Sequence, residues 1–252
     1  MSTANQEEFI NRIKMALGRP FAKSPREADL FGSEMCAETR AILERIKNRT
    51  AEDRKQLLET LIEAAGPIHL TVRACVDINA VTDAIAEVVL DKDPEWGDKK
   101  RVVAWRHPLI ESLNLPAALS EQDVPVFFSD LQETDEESLR RRIIDSYIGI
   151  TSADFCMADT ATLVMRTRPG QARAVSLVPA IHIAVIELNR IIADLKELYA
   201  LLKWDPQESK VGLTNCMTFI SGPSKTADIE ATMVYGAHGP REVHVFVITA
   251  EY

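Results

Sequence analysis

Cysteine is scarce and scattered. The 252-residue chain has four, Cys36, Cys75, Cys156 and Cys216, with no C-x-x-C pair and no cysteine–histidine cluster. That spacing argues against a zinc centre or an iron–sulfur cluster held by this chain alone, and the thiols read as reduced, small hydrophobes. Positive charge is also short: 29 Lys and Arg stand against 38 Asp and Glu, a formal net charge of −9. A surface built for phosphate backbones is therefore not expected, and nucleic acid is not the first partner to consider. No apolar run approaches the roughly 20 residues that span a bilayer. The opening MSTANQEE lacks the basic and apolar regions of a signal peptide, so the expected location is cytoplasmic. No glycine-rich nucleotide fingerprint precedes a helix.

What remains is an ordinary globular composition, 46% hydrophobic and 27% charged. The length suits one large α/β domain or two small ones. Helical spacing runs over residues 5–18 (Phe9, Ile10, Ile13, Leu17), and Pro20, Pro25 and Gly32 then mark an extended linker. Helices are expected again over 34–49 and, after a Thr50 N-cap, up to Gly66-Pro67. Residues 1–65 thus form an N-terminal helical extension with no evident chemistry.

From residue 68 the pattern changes. A strand over 68–76, a helix over 80–90, a strand at 101–105, a helical stretch over 109–119 and a strand at 124–128 alternate as β–α–β units do. Such alternation predicts a parallel sheet with crossover helices over residues 66–252. Residues 134–146 form a charged helix with acids first and arginines later, as the helix dipole favours. The run SLVPAIHIAVIE, residues 176–187, reads as a buried strand, and a helix is expected over 191–202.

Two polar stretches stand out. Residues 220–240, ISGPSKTADIEATMVYGAHGP, bracket Lys225, Thr226, Asp228 and Glu230 between glycine–proline turns. Residues 149–165, GITSADFCMADTATLVM, place Asp154 and Asp159 with several hydroxyls between two strands. Loops of this kind can hold an anionic ligand through backbone N–H groups, although Asp and Thr also cap ordinary turns. A histidine on an apolar strand, as His182 is, is more often a core residue than a catalyst. His238, between glycines, is better placed to reach a ligand. His244 reads as structural, and His69 and His107 offer no constellation. The expectation is that both loops meet at one edge of the sheet.

These motifs, SGPSKTADIEATMVYGAHGPREVHVFVI with GITSADFCMADTATLVM and VPAIHIAVIE, resemble the lactate-utilization (LUD) domain family, and within it the lactate utilization protein C subfamily. The resemblance implies a three-layer α/β/α domain with a mostly parallel sheet, similar to the NagB/RpiA/CoA-transferase-like fold and preceded by N-terminal helices. It also implies a part in oxidising L-lactate to pyruvate beside iron–sulfur partner proteins, with no cofactor and no metal held by this chain. The family's turn falls on Gly222, Pro223, Ser224 and Lys225, its acidic run on Thr226 to Glu230, and its last turn on His238, Gly239 and Pro240. Where the family often has glutamate-threonine-glycine-threonine, this chain has Asp159, Thr160, Ala161 and Thr162. On that basis His238, His182, Glu230 and Asp228 are candidate catalytic groups. Candidate ligand-binding residues are Thr151, Asp154, Asp159, Thr160, Thr162, Gly222, Pro223, Ser224, Lys225, Thr226 and Gly239. The first function expected is a cluster-free subunit of a lactate-oxidising system that handles a small anionic acid. The alternatives are a stand-alone enzyme on a phosphorylated or CoA-linked small molecule, with Glu230 as nucleophile or base, and a ligand-sensing assembly subunit.

Overall fold

Apolar runs with no polar alternation need cover on both faces, and a parallel sheet between helices supplies it. Six strands line up, the inner ones largely buried: β1 (Thr71–Cys75), β2 (Val102–Ala104), β3 (Val126–Phe128), β4 (Ile148–Ser152), β7 (Ile181–Glu187) and β12 (Glu242–Ile248). They form one sheet in the order β1-β12-β7-β4-β2-β3, every pairing parallel. The computed structural model describes residues 3–16, 34–94, 97–130, 135–212, 214, 216–227 and 233–250. The chain divides into two units, Met1–Arg40 and Ala41–Tyr252. The first carries helix α1 (Thr3–Ala16), whose Phe9, Ile10, Ile13 and Met15 are exposed. The sheet belongs to the second.

Helix α2 (Ala37–Lys47) leads to α3 (Ala51–Ala65), which Thr50 starts with a reciprocal capping box. The Thr50 hydroxyl accepts from the Asp53 N–H, and the Asp53 carboxylate accepts from the Thr50 N–H. Leu58, Leu61 and Ala65 of α3 share a core with Val243, Val245 and Val247 of β12. Residues 51–65, grouped by sequence with the extension, are therefore built into the second unit. Leu139 and Ile143 of α7 (Glu136–Ile144) join the same face. The other face of the sheet is covered by α4 (Ile78–Asp91) through Val81, Ile85 and Val89. The expected helix over 109–119 is two short ones beside it, α5 (Pro108–Ser112) and α6 (Leu115–Ala118), separated where Asn114 takes a φ of 47°.

The largest departure from the sequence reading is a second, four-stranded sheet on the α3 side. Its strands are β5 (Phe155–Met157), β6 (Thr162–Arg166), β8 (Ile191–Ile192) and β9 (Met217–Ile220), in the order β8-β5-β6-β9. Residues 152–161, expected as one loop, contain β5, and the expected helix over 191–202 opens with β8. Asp194 then caps the helix proper, α8 (Leu195–Trp204), by accepting from the Glu197 N–H. Strands of two or three residues are too short to show a period of two, so composition could not reveal them. The second sheet presents Cys156, Leu163 and Met165 to the main core. Phe155, Met157 and Val164 turn towards Leu198 and Leu201 of α8. One glycine admits this layering: a β-carbon on Gly149, mid-strand in β4, would lie 1.8 Å from the Val175 carbonyl oxygen.

Candidate functional site

The connections of the parallel sheet decide where a ligand fits. From β2 the chain moves outward to β3; from its neighbour β4 it moves the opposite way to β7. Adjacent parallel strands whose connections diverge leave a crevice at their carboxyl ends, the usual ligand position in open α/β sheets. A cleft of about 590 Å³ lies there. Its lining includes His107 beyond β2, Ser152 and Asp154 beyond β4, Glu187 at the end of β7, and Arg166, Arg168, Arg190 and Glu208.

The charges in the cleft follow from the β5–β6 hairpin. Pairing of Phe155 with Val164 brings Asp154 beside Arg166, 12 positions further along the chain. The Asp154 carboxylate accepts from the Arg166 backbone N–H at 2.7 Å, from Arg166 Nε at 3.0 Å and from Arg168 Nη2 at 2.5 Å. Arg166 Nη2 donates to Glu208 at 2.5 Å, and Arg190 Nη1 donates to the other oxygen of Glu208 at 2.7 Å. Glu208 is carried on α9 (Pro206–Val211), so the network ties hairpin, helix and strand end together. Burial works to raise the Asp154 pKa, but hydrogen bonds and charge from Arg168 and Arg166 outweigh it and hold the carboxyl below its usual range.

Two groups in this network are left over. Arg166 Nη1 is buried and has no hydrogen-bond partner, on a side chain only 3% exposed. Buried guanidinium N–H groups are costly to leave unpaired, so this donor marks a place for an acceptor. Among the described residues, Glu187 has no ion-pair partner. His107 adds a donor of fixed sense. Its Nδ1 accepts from the Leu109 N–H at 3.2 Å, so the proton of the neutral ring sits on Nε2. Burial, with Arg168 nearby, lowers the His107 pKa and favours that neutral form.

Asp154 does not share a cleft with the turns of residues 220–240, as the sequence led one to expect. Asp154 lies at the carboxyl ends of the strands. The turns of residues 220–240 lie at the amino ends: Gly222 packs on the Ile68 carbonyl just before β1, and the Arg241 N–H bonds the Ala180 carbonyl just before β7. Strands of seven residues, as β7 and β12 are, separate these ends by on the order of 20 Å. No small acid bridges that distance, and the expectation that Asp154 shares a site with those turns is overturned. The amino-end turns are mainly bonded to one another. The Ser224 N–H bonds the Pro240 carbonyl at 2.8 Å, the Ser224 hydroxyl accepts from the His238 N–H at 3.2 Å, and Gly239 packs beside Ser224. His238 itself is exposed.

Part of the middle motif does reach this end. The Thr162 hydroxyl is 2.7 Å from that of Ser221 and 2.9 Å from that of Thr160, which donates to Asp159. Pro223 is buried. Lys225 and Thr226 lie on β10 (Lys225–Ala227), paired with β11 (Met233–Tyr235), and Lys225 sits over the Tyr235 ring. Asp228 and Glu230 lie outside the described residues. Thr151 and His182 are fully buried and bonded to each other at 2.8 Å across β4 and β7, away from any ligand. Burial, with His244 nearby, lowers the His182 pKa to about 3, so this histidine stays neutral and takes no proton near neutrality.

The model of the LUD domain matches residues 42–248. The chain belongs to the LUD domain family. Among its relatives, "Lactate utilization protein C" of Halalkalibacterium halodurans is 28% identical, covering 93% of this chain and 94% of that protein. The protein of the same name from Bacillus subtilis is 25% identical, covering 94% and 92%. The "Uncharacterized protein YkgG" of Escherichia coli is 26% identical over 97% and 98%. A crystal structure of a DUF162 family protein from Deinococcus radiodurans superposes with a TM-score of 0.49 at 18% identity, covering 79% of this chain and 99% of that one. In this LUD domain, then, the motifs most visible in sequence hold the amino end of the sheet together. The cleft at the carboxyl end is lined by His107, Arg166, Arg168 and Arg190, which sequence reasoning passed over. The available signal was position: His107-Pro108 closes a short apolar run, and Arg166-Thr167-Arg168 closes another.

Proposed function

We propose that this LUD domain serves in lactate utilization, as a cluster-free subunit of a system oxidising L-lactate to pyruvate, and that its carboxyl-end cleft holds the small acid anion. The observation that carries the reading is the buried, partnerless Arg166 Nη1 in a cleft at the sheet's switch point. The names of the relatives from H. halodurans and B. subtilis supply the substrate. Arg166 and Arg168 would take the carboxylate. Electron transfer would fall to partner proteins bearing iron–sulfur clusters, since side chains of this kind do not take up a hydride.

Titration of L-lactate into the purified full chain, followed by ligand-observed NMR, tests the reading. Binding is expected, weakened about fivefold or more by Arg168→Gln, the loss of one charge-assisted hydrogen bond. Normal growth on lactate of a strain lacking the protein would count against it. The size of the cleft favours one second reading. A three-carbon acid fills on the order of 100 Å³, about three waters' share of liquid volume, against about 590 Å³ available. A phosphorylated or CoA-linked ligand would use more of that space. Binding of such a compound with no response to lactate would shift the assignment to that class.

A further inference from the structure

The cleft contains one donor and one acceptor whose senses are fixed by covalent structure and by neighbours. His107 Nδ1 is occupied by the Leu109 N–H, which leaves Nε2–H as the outward group. The Glu187 carboxylate is an acceptor, and among the described residues no cation pairs with it. The two flank the end of β4: Glu187 closes β7 on one side, and His107 follows β2 on the other. Two inter-strand steps place their backbones about 10 Å apart. Both side chains line the cleft.

We propose that Glu187 and His107 form an acceptor–donor pair that selects a 2-hydroxy acid over its 2-oxo counterpart. The inference rests on the cleft being the acid-binding site and adds which oxidation state it prefers. With the carboxylate on Arg166 and Arg168, the C2 oxygen faces the pair. A hydroxyl oxygen accepts from His107 Nε2–H and donates its hydrogen to Glu187, so all three groups are satisfied. A keto oxygen also accepts from His107, but it has no hydrogen to give and turns lone pairs towards the Glu187 carboxylate. Sites that hydrogen-bond a hydroxyl discriminate strongly against analogues lacking it, because a buried group is left unpaired. The remaining lining charges do not remove this asymmetry. Arg166, Arg168 and Arg190 are engaged by Asp154 and Glu208, which leaves Glu187 as the open acceptor.

The test is a competition among L-lactate, pyruvate and propionate for the purified full chain, read by ligand-observed NMR. The wild type is expected to prefer lactate over both by roughly tenfold, the value of one charge-assisted hydrogen bond. Glu187→Gln, which offers an amide N–H, is expected to narrow the lactate–pyruvate ratio to within about twofold or to invert it. Removing a carboxylate beside the anion subsite favours all three acids alike, so the ratios and not the absolute affinities carry the test. Glu187→Ala, which leaves only the His107 Nε2–H for the hydroxyl, should narrow the lactate–propionate difference; both variants substitute a partly exposed side chain, and circular dichroism checks their fold. Retention of the wild-type ratios in both variants overturns the proposal while leaving lactate binding in place. Wild-type protein that binds none of the three overturns the underlying site assignment and this proposal with it.

Discussion

His182 offers the sharpest test of how the sheet is built. Its ring is fully buried, bonded through Nε2 to Thr151, and its Nδ1 has no partner. Burial, helped by His244, holds its pKa at about 3 in the folded chain, whereas an exposed histidine titrates near 6.5. The sign follows from which state binds the proton. Above pH ~6.5 neither state is protonated, and the group has no pH-dependent effect. Below it the unfolded chain takes up a proton that the folded chain refuses, so stability falls as pH falls, down to the folded value. At ~1.4 kcal/mol per pH unit, the full loss between pH ~6.5 and ~3 is about 5 kcal/mol, of which about 2 kcal/mol falls between pH 7 and pH 5. Urea unfolding of the wild type and of His182→Gln at pH 7, 6 and 5 measures it. His107 and His244, also lowered by burial, contribute to both proteins and cancel in the difference. The variant is expected to be less stable at pH 7 but to lose about 2 kcal/mol less on going to pH 5. Equal losses in the two proteins would refute the buried-neutral assignment.

Two further outcomes are expected. Gly149→Ala forces a β-carbon into the Val175 carbonyl, a contact of 1.8 Å at the centre of the sheet. It should cost about 3 kcal/mol or more, or abolish soluble expression, as measured by thermal unfolding. Ala161 holds a φ of 46° while fully buried. Ala161→Gly should relieve left-handed strain of roughly 1–2 kcal/mol against an entropic cost of about 0.5–1 kcal/mol, and so should raise the melting temperature slightly.

How much of this was legible in the sequence depends on the range of the forces involved. The parallel sheet was, because β7 and β12 are apolar at most positions around His182 and His244, and α4 is amphipathic along its length. The Thr50 cap was readable for the same reason: it is set by residues three apart. The second sheet was not, since β5 and β8 are shorter than one period of any pattern and exist through pairing with distant strands. The site failed for a related cause. Asp154 and Asp159 are five residues apart and look like one motif, but β5 runs between them and sends each to a different end of the fold. His107, Glu187 and Glu208 are far apart in sequence and meet only through strand order. Arg166 would have passed for a surface charge on a strand end.

In the cleft, the arginines that would greet a guest already have hosts of their own. Arg168 and most of Arg166 are committed to Asp154 and Glu208, and Arg190 to Glu208. An arriving anion therefore enters as a rival to the protein's own carboxylates for these arginines, beside the partnerless Arg166 Nη1. Competition for Arg166 and Arg190 would bear on Glu208, which α9 carries. The contacts that fasten this wall of the cleft are the ones an anionic occupant would draw on.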